Sequence, residues 1–244
     1  GGIRLATMDE PMEGGRPGCR VALIDTGSGL RFTVAIDHGG DIVDAIYNDC
    51  SLTFLSPNGM TRPQEANHLD MRWLRGWTGG LLTTCGPLHI GAPLQNTPTA
   101  EGLHGHAHHT PASLRAVEQP DPARGDYDMA LRMVIRDTKM FGPIIETRRT
   151  IRCRLGEPGI TIEDEVTNRG NETSPHQWLY HVNFGHPLLA PDARVDADYF
   201  VSIDSSNPIG TALSIGTTIA KASQVEKAQA KTDAAMRELD RVAI

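Results

Sequence analysis

Apolar and polar residues alternate with a period of two through most of residues 20–184, and this pattern constrains the fold more than any other feature. The alternation is clearest in residues 30–36 and 129–135. Because successive side chains of a β-strand point to opposite faces, such segments indicate strands that bury one face. The 25 Gly and 16 Pro supply turns between strands. No rhythm of strands alternating with helices is present, so we predict an all-β fold, an antiparallel β-sandwich or an open barrel.

Tight turns connect the predicted strands into hairpins. Residues 26–29 separate the first two strands, and Asn48 with Asp49 separates the next pair. Residues 157–160 place Pro second and Gly third, the pattern of a type II turn, at the end of a long hairpin. The Arg-rich face of that hairpin is interpreted as a solvated strand face and not as a phosphate site.

The pattern changes after about residue 206. Apolar residues recur there at steps of three and four among Ala, Lys, Gln and Glu, namely at Ile215, Ile219, Ala222, Val225, Met236, Leu239 and Val242. This spacing predicts an amphipathic helix. We therefore predict two domains, a β-sandwich over residues 1–206 and a helical segment over residues 207–244.

Charge and cysteine content exclude several kinds of partner. A formal net charge of −7 and an isoelectric point near 5.8 disfavour nucleic acid and anionic membranes, and no apolar run has the length of a membrane span. A neutral small molecule fits this charge better. The cysteines are widely spaced without a C-x-x-C pair, which argues against a zinc knuckle or a redox pair: Cys19, Cys50, Cys85 and Cys153. Without a signal sequence, we expect reduced thiols and a cytoplasmic protein.

The stretch WLYHVNFGHPLL, residues 178–189, places polar groups within an apolar strand. One face of this strand carries Trp178, Tyr180, Val182 and Phe184, which we predict to be core. The other face carries His181 and Asn183, which are suited to line a cleft because His exchanges a proton near neutral pH. The alternative is that both are hydrogen-bonded residues on a half-wet sheet face.

Two aromatic residues and two arginines lie close together in residues 71–86. Glycines in this stretch allow backbones to approach closely, and Trp planes with Arg side chains are typical of a wall that binds sugar. Trp73, Arg75 and Trp77 are therefore candidate ligand-binding residues. A buried Trp pair beneath a loop is the alternative interpretation.

Two further stretches carry polar residues that suit a site. Residues 37–41, Asp-His-Gly-Gly-Asp, form either a turn capped by its own carboxylates or the polar wall of a pocket, which makes Asp37 and Asp41 candidates. Residues 101–111 contain four histidines, and alternate ones are candidate metal ligands. No acidic or Cys partner has matching spacing, so we expect no required metal. We expect instead that one or two of these histidines line the same pocket as His181.

Four segments together resemble the galactose mutarotase-like (aldose 1-epimerase) superfamily, and within it the bacterial branch known as domain of unknown function 4432. They are IDHGGDI at 36–42, LRGWTGGLLTTCG at 74–86, GLHGHAHHTPA at 102–112 and WLYHVNFGHPLL at 178–189. The resemblance covers roughly residues 20–195. It implies a large antiparallel β-sandwich, the supersandwich of that superfamily, that binds carbohydrate without a cofactor.

The resemblance also implies roles for single residues. His181 matches the histidine that donates a proton to the ring oxygen of the sugar, and His104 matches the histidine that holds the sugar. The remaining candidate substrate-binding residues are Asn183, Trp73, Arg75, Trp77, His106, Asp37 and Asp41. The implied activity is the interconversion of the anomers of a free aldose, by acid/base opening and closing of the ring.

The family pattern is incomplete in one respect. The superfamily carries a late Glu that takes the proton of the anomeric hydroxyl, and no strand motif with such a Glu follows Pro191. We therefore expect a truncated sandwich. A sugar-binding module without turnover is the alternative function, and a metal-dependent sugar isomerase that uses the histidine-rich stretch is a third.

Overall fold

The computed structural model of the protein describes residues 1–9, 18–60, 62–94, 101–191, 193–194, 200–203 and 213–216. The chain divides into two compact units, Gly1–Pro191 and Asp192–Ile244. The domain boundary predicted after residue 206 lies outside the described residues. In the second unit, β14 (Phe200–Ile203) pairs with β15 (Leu213–Gly216) in an antiparallel arrangement.

A five-stranded antiparallel meander forms the first sheet of the first unit. Its strands are β1 (Gly2–Met8), β2 (Cys19–Asp25), β3 (Leu30–Ala35), β4 (Asp41–Tyr47) and β5 (Cys50–Ser51). The hairpin between β4 and β5 turns at Asn48 and Asp49, whose φ angles are 46° and 64°. Two successive left-handed residues match the right-handed twist of flanking strands, so this turn follows directly from the Asn-Asp pair.

Short elements connect the first sheet to the second. They are β6 (Phe54–Leu55), the 3-10 turns Glu65–His68 and Asp70–Arg72, α1 (Trp73–Gly76), β7 (Gly79–Gly80), β8 (Leu82–Cys85) and the 3-10 turn Ala107–His109. Strands β6 and β7 pair with each other. These segments carry most of the candidate site.

The second sheet has four antiparallel strands in the order β12-β11-β10-β9. They are β9 (Ser113–Glu118), β10 (Asp128–Thr138), β11 (Ile144–Arg154) and β12 (Thr161–Asn168), with a 3-10 turn at Pro122–Arg124. Strand β13 (Leu179–Val182) pairs with β8 outside this sheet.

The core lies between the two larger sheets and confirms the predicted β-sandwich. Buried residues from the first sheet include Phe32 and Val34, and those from the second include Leu131, Met133 and Ile151. They belong to the alternating segments, and their burial is the main source of stability for a sandwich. None of the helices in the described part of the chain has the length and apolarity that a membrane crossing requires.

Three local features differ from the sequence-based prediction. Strand β1 was not predicted, because only Ile3 of that strand is fully buried and the apolar alternation is weak. The expected core face of β13 is largely exposed, with Tyr180 and Val182 at 40% and 49% of full exposure. Of the helix predicted over residues 207–244, the structure describes only β15, which is a strand, and the rest lies outside the described residues. All four cysteines are free thiols.

Candidate functional site

Two histidines face each other where β13 meets the loop that follows residue 101. His181 lies on β13 opposite Thr83 of β8, and its side chain is exposed. The ring centroids of His104 and His181 are 6.1 Å apart in an edge-to-face arrangement. The structure thus brings together the two residues for which the family resemblance implies catalytic roles, and those roles stay a prediction.

The backbone around His104 sets the orientation of its ring. The residue has a φ of 57°, in the left-handed region. Its N–H donates to the Gly91 carbonyl at 3.0 Å, and its carbonyl accepts from the Gly86 N–H at 2.9 Å. The Gly91 N–H also donates to Nδ1 of the ring at 3.3 Å, which leaves the proton of the neutral imidazole on Nε2. Burial, followed by the charges of His181 and His89, lowers the pKa of His104 to about 4.

An aromatic wall, formed by Trp77 and Phe54, lies beside this pair. Trp77 is half-buried and stacks on Phe54 with ring centroids 5.5 Å apart, and Trp73 lies 6.0 Å from Trp77. Trp73 in turn contacts His104 edge-on at 5.4 Å. The Phe54 N–H donates to the Asn183 carbonyl at 3.1 Å, which ties the wall to the strand that carries His181. Flat aromatic faces of this kind pack against the apolar face of a pyranose.

Asn183 and Thr83 form hydrogen bonds that hold the aromatic wall in place. The Asn183 side chain is 9% exposed and donates to Thr83 Oγ1 at 3.3 Å and to the His181 carbonyl at 3.1 Å. Trp77 Nε1 donates to the same Thr83 oxygen at 3.0 Å. Asn183 therefore holds the strand end and the wall together, and its amide donors are already used within the protein.

The buried carboxylate of Asp37 lies in an ion pair with the partly exposed Arg20. Its carboxylate accepts from the Arg20 side chain and, at 2.9 Å, from the Arg20 backbone N–H, and Arg62 lies 3.7 Å away. Burial by itself raises the pKa of this carboxyl, but the hydrogen bonds and charge of Arg20 bring it below its ordinary value. This carboxylate is satisfied by arginines, so Asp37 braces the end of β3.

Asp41 is also fully buried and fully engaged. It accepts from the Thr84 N–H at 2.9 Å, from the Thr84 hydroxyl at 2.6 Å, from Arg149 at 2.9 Å and from His108 Nδ1 at 2.8 Å. Burial raises its pKa, but the bond from His108 and the charge of Arg149 outweigh this and lower it overall. Asp41 therefore supports β8 from behind and does not face a cleft as a free base.

His106 and Arg75 lie outside the facing histidine pair. His106 sits between Glu101 at 3.2 Å and Asp137 at 3.4 Å and stacks on His68 at 4.4 Å. Burial lowers its pKa, but the hydrogen bond and charge of Asp137 outweigh this and raise it. Arg75 is exposed on α1, and no ion pair holds it within the part of the chain that the structure describes.

A second histidine group lies behind Trp73. His38, His108 and His109 are buried, and one ring nitrogen from each lies within 4.8 Å of the others. Trp73 contacts His108 at 5.4 Å and His109 at 5.3 Å, so its indole lies next to both histidine groups. Burial and then the neighbouring charges of His108 and His38 hold the pKa of His109 well below its ordinary value.

Sequence reasoning did not single out Phe54, Thr83 or His38. Phe54 belongs to a two-residue strand that is too short to show periodicity. Thr83 lies in the stretch 71–86 that was assigned to a ligand wall, but a threonine carries no distinctive signal. His38 lies within residues 37–41. It stacks on His108 because the fold brings this corner against the histidine-rich stretch, which the sequence does not reveal.

Comparisons with known proteins agree with this fold. The family model described as Domain of unknown function (DUF4432) matches residues 16–232. The fold is similar to the crystal structure of a candidate aldose 1-epimerase from Klebsiella pneumoniae subsp. pneumoniae MGH 78578, with a TM-score of 0.64 and 24% sequence identity. That similarity covers 77% of this chain and 49% of that protein, so the chain spans about half its length. No curated protein sequence matches this chain significantly.

Proposed function

The chain belongs to the family described as Domain of unknown function (DUF4432), and from this premise and its aldose 1-epimerase-like fold we propose that it interconverts the anomers of a free aldose. The observation that supports this proposal best is the facing pair of His104 and His181, 6.1 Å apart beside an aromatic wall. Two imidazoles and a flat apolar surface are suited to a small neutral polyol.

In the proposed reaction His181 acts as the general acid. It donates a proton to the ring oxygen while a base removes the proton of the anomeric hydroxyl, the C1–O5 bond opens, and rotation about C1–C2 precedes closure as the other anomer. An imidazole suits this role because it gains and loses a proton near neutral pH, and each positioned proton transfer contributes about 10²–10⁴-fold. The exposed position of His181 gives a sugar access to it.

His104 is proposed to orient the sugar. Its pKa of about 4 keeps it neutral at physiological pH, and Nδ1 is occupied by the Gly91 N–H. Its Nε2–H is therefore available as a donor to a sugar oxygen. The aromatic wall of Trp77 and Phe54 would pack against the apolar face of the ring.

The base in this proposal is neither Asp37 nor Asp41. Both carboxylates are fully buried and held by arginines, so neither is free to accept a proton from a sugar bound at the facing histidine pair. We propose that a histidine or a water molecule accepts the anomeric proton instead.

Polarimetry of freshly dissolved α-anomers over a panel of aldoses tests the proposal. We expect faster mutarotation of at least one aldose, and loss of this acceleration in His181→Asn while sugar affinity stays within about tenfold, because an amide keeps a hydrogen bond but delivers no proton. His176→Asn is the matched control. His176 bonds the Pro87 carbonyl through Nδ1, and asparagine keeps a donor there.

Two outcomes would contradict the proposal. Sugar binding without any acceleration by the unmodified protein would favour a non-catalytic sugar-binding module. Acceleration that survives in His181→Asn would remove His181 from the role of general acid.

A further inference from the structure

We propose that His38, His108 and His109 bind a divalent transition-metal ion. Imidazole nitrogens suit zinc and its first-row neighbours, and a set of three histidines is a common zinc ligand set. The side chains lie behind Trp73, and the proposed site is separate from the facing pair of His104 and His181. The inference does not depend on the proposed epimerase activity.

His108 is held in the orientation of a metal ligand. Its Nδ1 lies 2.8 Å from Asp41 Oδ2, which also accepts from the Thr84 backbone N–H, so Nδ1 of His108 is the donor of this bond. In the neutral ring the opposite nitrogen, Nε2, then carries a lone pair. That nitrogen is buried and has no hydrogen-bond partner among the described residues. Histidines that bind metals usually donate their other ring N–H to a carboxylate or a carbonyl, which fixes the orientation of the ring.

His109 repeats this arrangement with a backbone acceptor. Its Nε2 donates to the Trp73 carbonyl at 3.0 Å, so Nδ1 carries the lone pair. Nδ1 is buried and has no hydrogen-bond partner within the described part of the chain. The ring centroids of His108 and His109 lie 4.7 Å apart, and a ring nitrogen of each lies within 4.8 Å of the other. Two buried lone pairs this close together are compensated when they share a cation.

His38 supplies the third nitrogen. Its ring centroid is 4.7 Å from that of His108 and 5.9 Å from that of His109. The corner that carries it packs directly on the histidine-rich stretch, and the Gly39 N–H donates to the Thr110 carbonyl at 3.1 Å. A Cβ on Gly39 would lie 2.3 Å from the Ala107 carbonyl oxygen, so a glycine is required for this close approach.

The charges next to the cluster also favour a cation. Asp41 and Asp164 share the single guanidinium of Arg149, with N–O distances of 2.9 and 2.8 Å, and all three side chains are almost completely buried. Two carboxylates against one guanidinium leave a formal charge of −1 next to His108. A bound dication offsets this charge, whereas neutral imidazoles do not.

This inference departs from our expectation from the sequence that no metal is required. That expectation rested on the histidine-rich stretch by itself, where no partner had matching spacing. The third ligand comes from the corner at residues 37–41, and the orienting carboxylate, Asp41, comes from the same corner.

Zinc binding to the chelator-stripped, full-length chain tests the proposal. We expect one equivalent of zinc to remain after gel filtration, measured by elemental analysis, and competition with a chromophoric chelator to give an affinity that falls at least 100-fold in His108→Gln and in His109→Gln. Asp41→Asn should weaken binding about 10–100-fold, as expected for a carboxylate that orients a metal-binding histidine. His181→Asn, in the facing pair, is the control and should bind zinc as the unmodified protein does.

Nitrogen-15 NMR of the histidine rings in the unmodified protein avoids dependence on variants that fail to fold. Addition of zinc should shift His108 Nε2 and His109 Nδ1 and leave their opposite nitrogens protonated. The proposal is overturned if less than about 0.2 equivalents bind, or if these two nitrogens do not respond. It is also overturned if zinc binding survives in His108→Gln but is lost in His68→Asn, which would place the ion on the stacked pair of His68 and His106.

Discussion

His104 has an unusual backbone conformation and an unusually low pKa. Its left-handed φ of 57° turns the ring toward His181, and the Gly91 N–H occupies the nitrogen on its inner side. Burial then lowers its pKa from 6.5 to about 4. A histidine that stays neutral over the physiological range offers a stable hydrogen-bond donor to a ligand.

We predict that lowering the pH reduces the free energy of unfolding through His104. Between pH 6.5 and about 4 the unfolded chain binds a proton at this residue and the folded chain does not, so stability falls as the pH falls through this window. NMR of the His104 ring should give a titration midpoint near 4. The urea midpoint of His104→Asn should decrease less than that of the unmodified protein between pH 7 and 4.5. A ring that titrates near 6.5 would contradict this prediction.

The short strands β6 and β7 position the aromatic wall. Gly79 of β7 has a φ of 77°, and a Cβ at this position would lie 2.4 Å from the Phe54 carbonyl oxygen and 2.7 Å from the Ser56 nitrogen. The obstructing atoms belong to the backbone of β6 and its following residue, so they yield only if the strand moves. A glycine therefore lets the strand that carries Phe54 pack against the residues next to Trp77.

Gly79→Ala is predicted to displace this wall. Alanine costs about 1–2 kcal/mol in the left-handed region, and the clash with β6 adds to that cost. Gly125→Ala is the matched control, because Gly125 has a φ of 75° and open space around it. Urea unfolding should show a loss of stability at least about 1 kcal/mol larger for Gly79→Ala. Trp fluorescence should also change in that variant alone, and equal losses in the two variants would contradict the account.

Arg149 connects the two sheets of the sandwich across the core. It projects from β11 and donates to the Gly39 carbonyl at 3.0 Å, to Asp41 at 2.9 Å, to the Thr84 hydroxyl at 2.7 Å and to Asp164 at 2.8 Å. Burial lowers the pKa of the guanidinium, but the bonds and charges of Asp164 and Asp41 outweigh this and raise it overall. The first unit is thus joined by a buried polar network as well as by its apolar core.

For the molecule as a whole we predict that Arg149→Met is strongly destabilising. The substitution leaves two buried carboxylates without their shared cation, and breaking a buried ion pair in this way costs about 3–5 kcal/mol. Arg152→Met on the same strand is the control, since its pair with Glu163 is exposed and should cost about 0–1 kcal/mol. Both values follow from urea unfolding at neutral pH. Similar losses for the two variants would show that the buried network does not join the sheets.

The sequence by itself determined most of the longer strands and their hairpins, because alternation and turn residues act over a few neighbouring positions. Residues 30–36 and 129–135 alternate and contribute the core, and the Asn48-Asp49 pair forms its turn. Alternation also separated the two faces of β13, with His181 and Asn183 on one face and Tyr180 on the other. The histidine-rich stretch was expected to share a pocket with His181, but His104 was singled out within it by the family resemblance, since no local pattern relates a loop residue to a strand residue far along the chain.

Only the tertiary structure decided what packs against each face. The face of β13 that carries Tyr180 is largely exposed, although its residues read as core. In the folded protein, Asp37 and Asp41 form ion pairs with arginines, and His38 lies next to His108 and His109. These contacts connect segments separated by long stretches of chain. Periodicity reports which side chains share a face, but only the packed fold decides which distant groups satisfy a buried charge or lone pair.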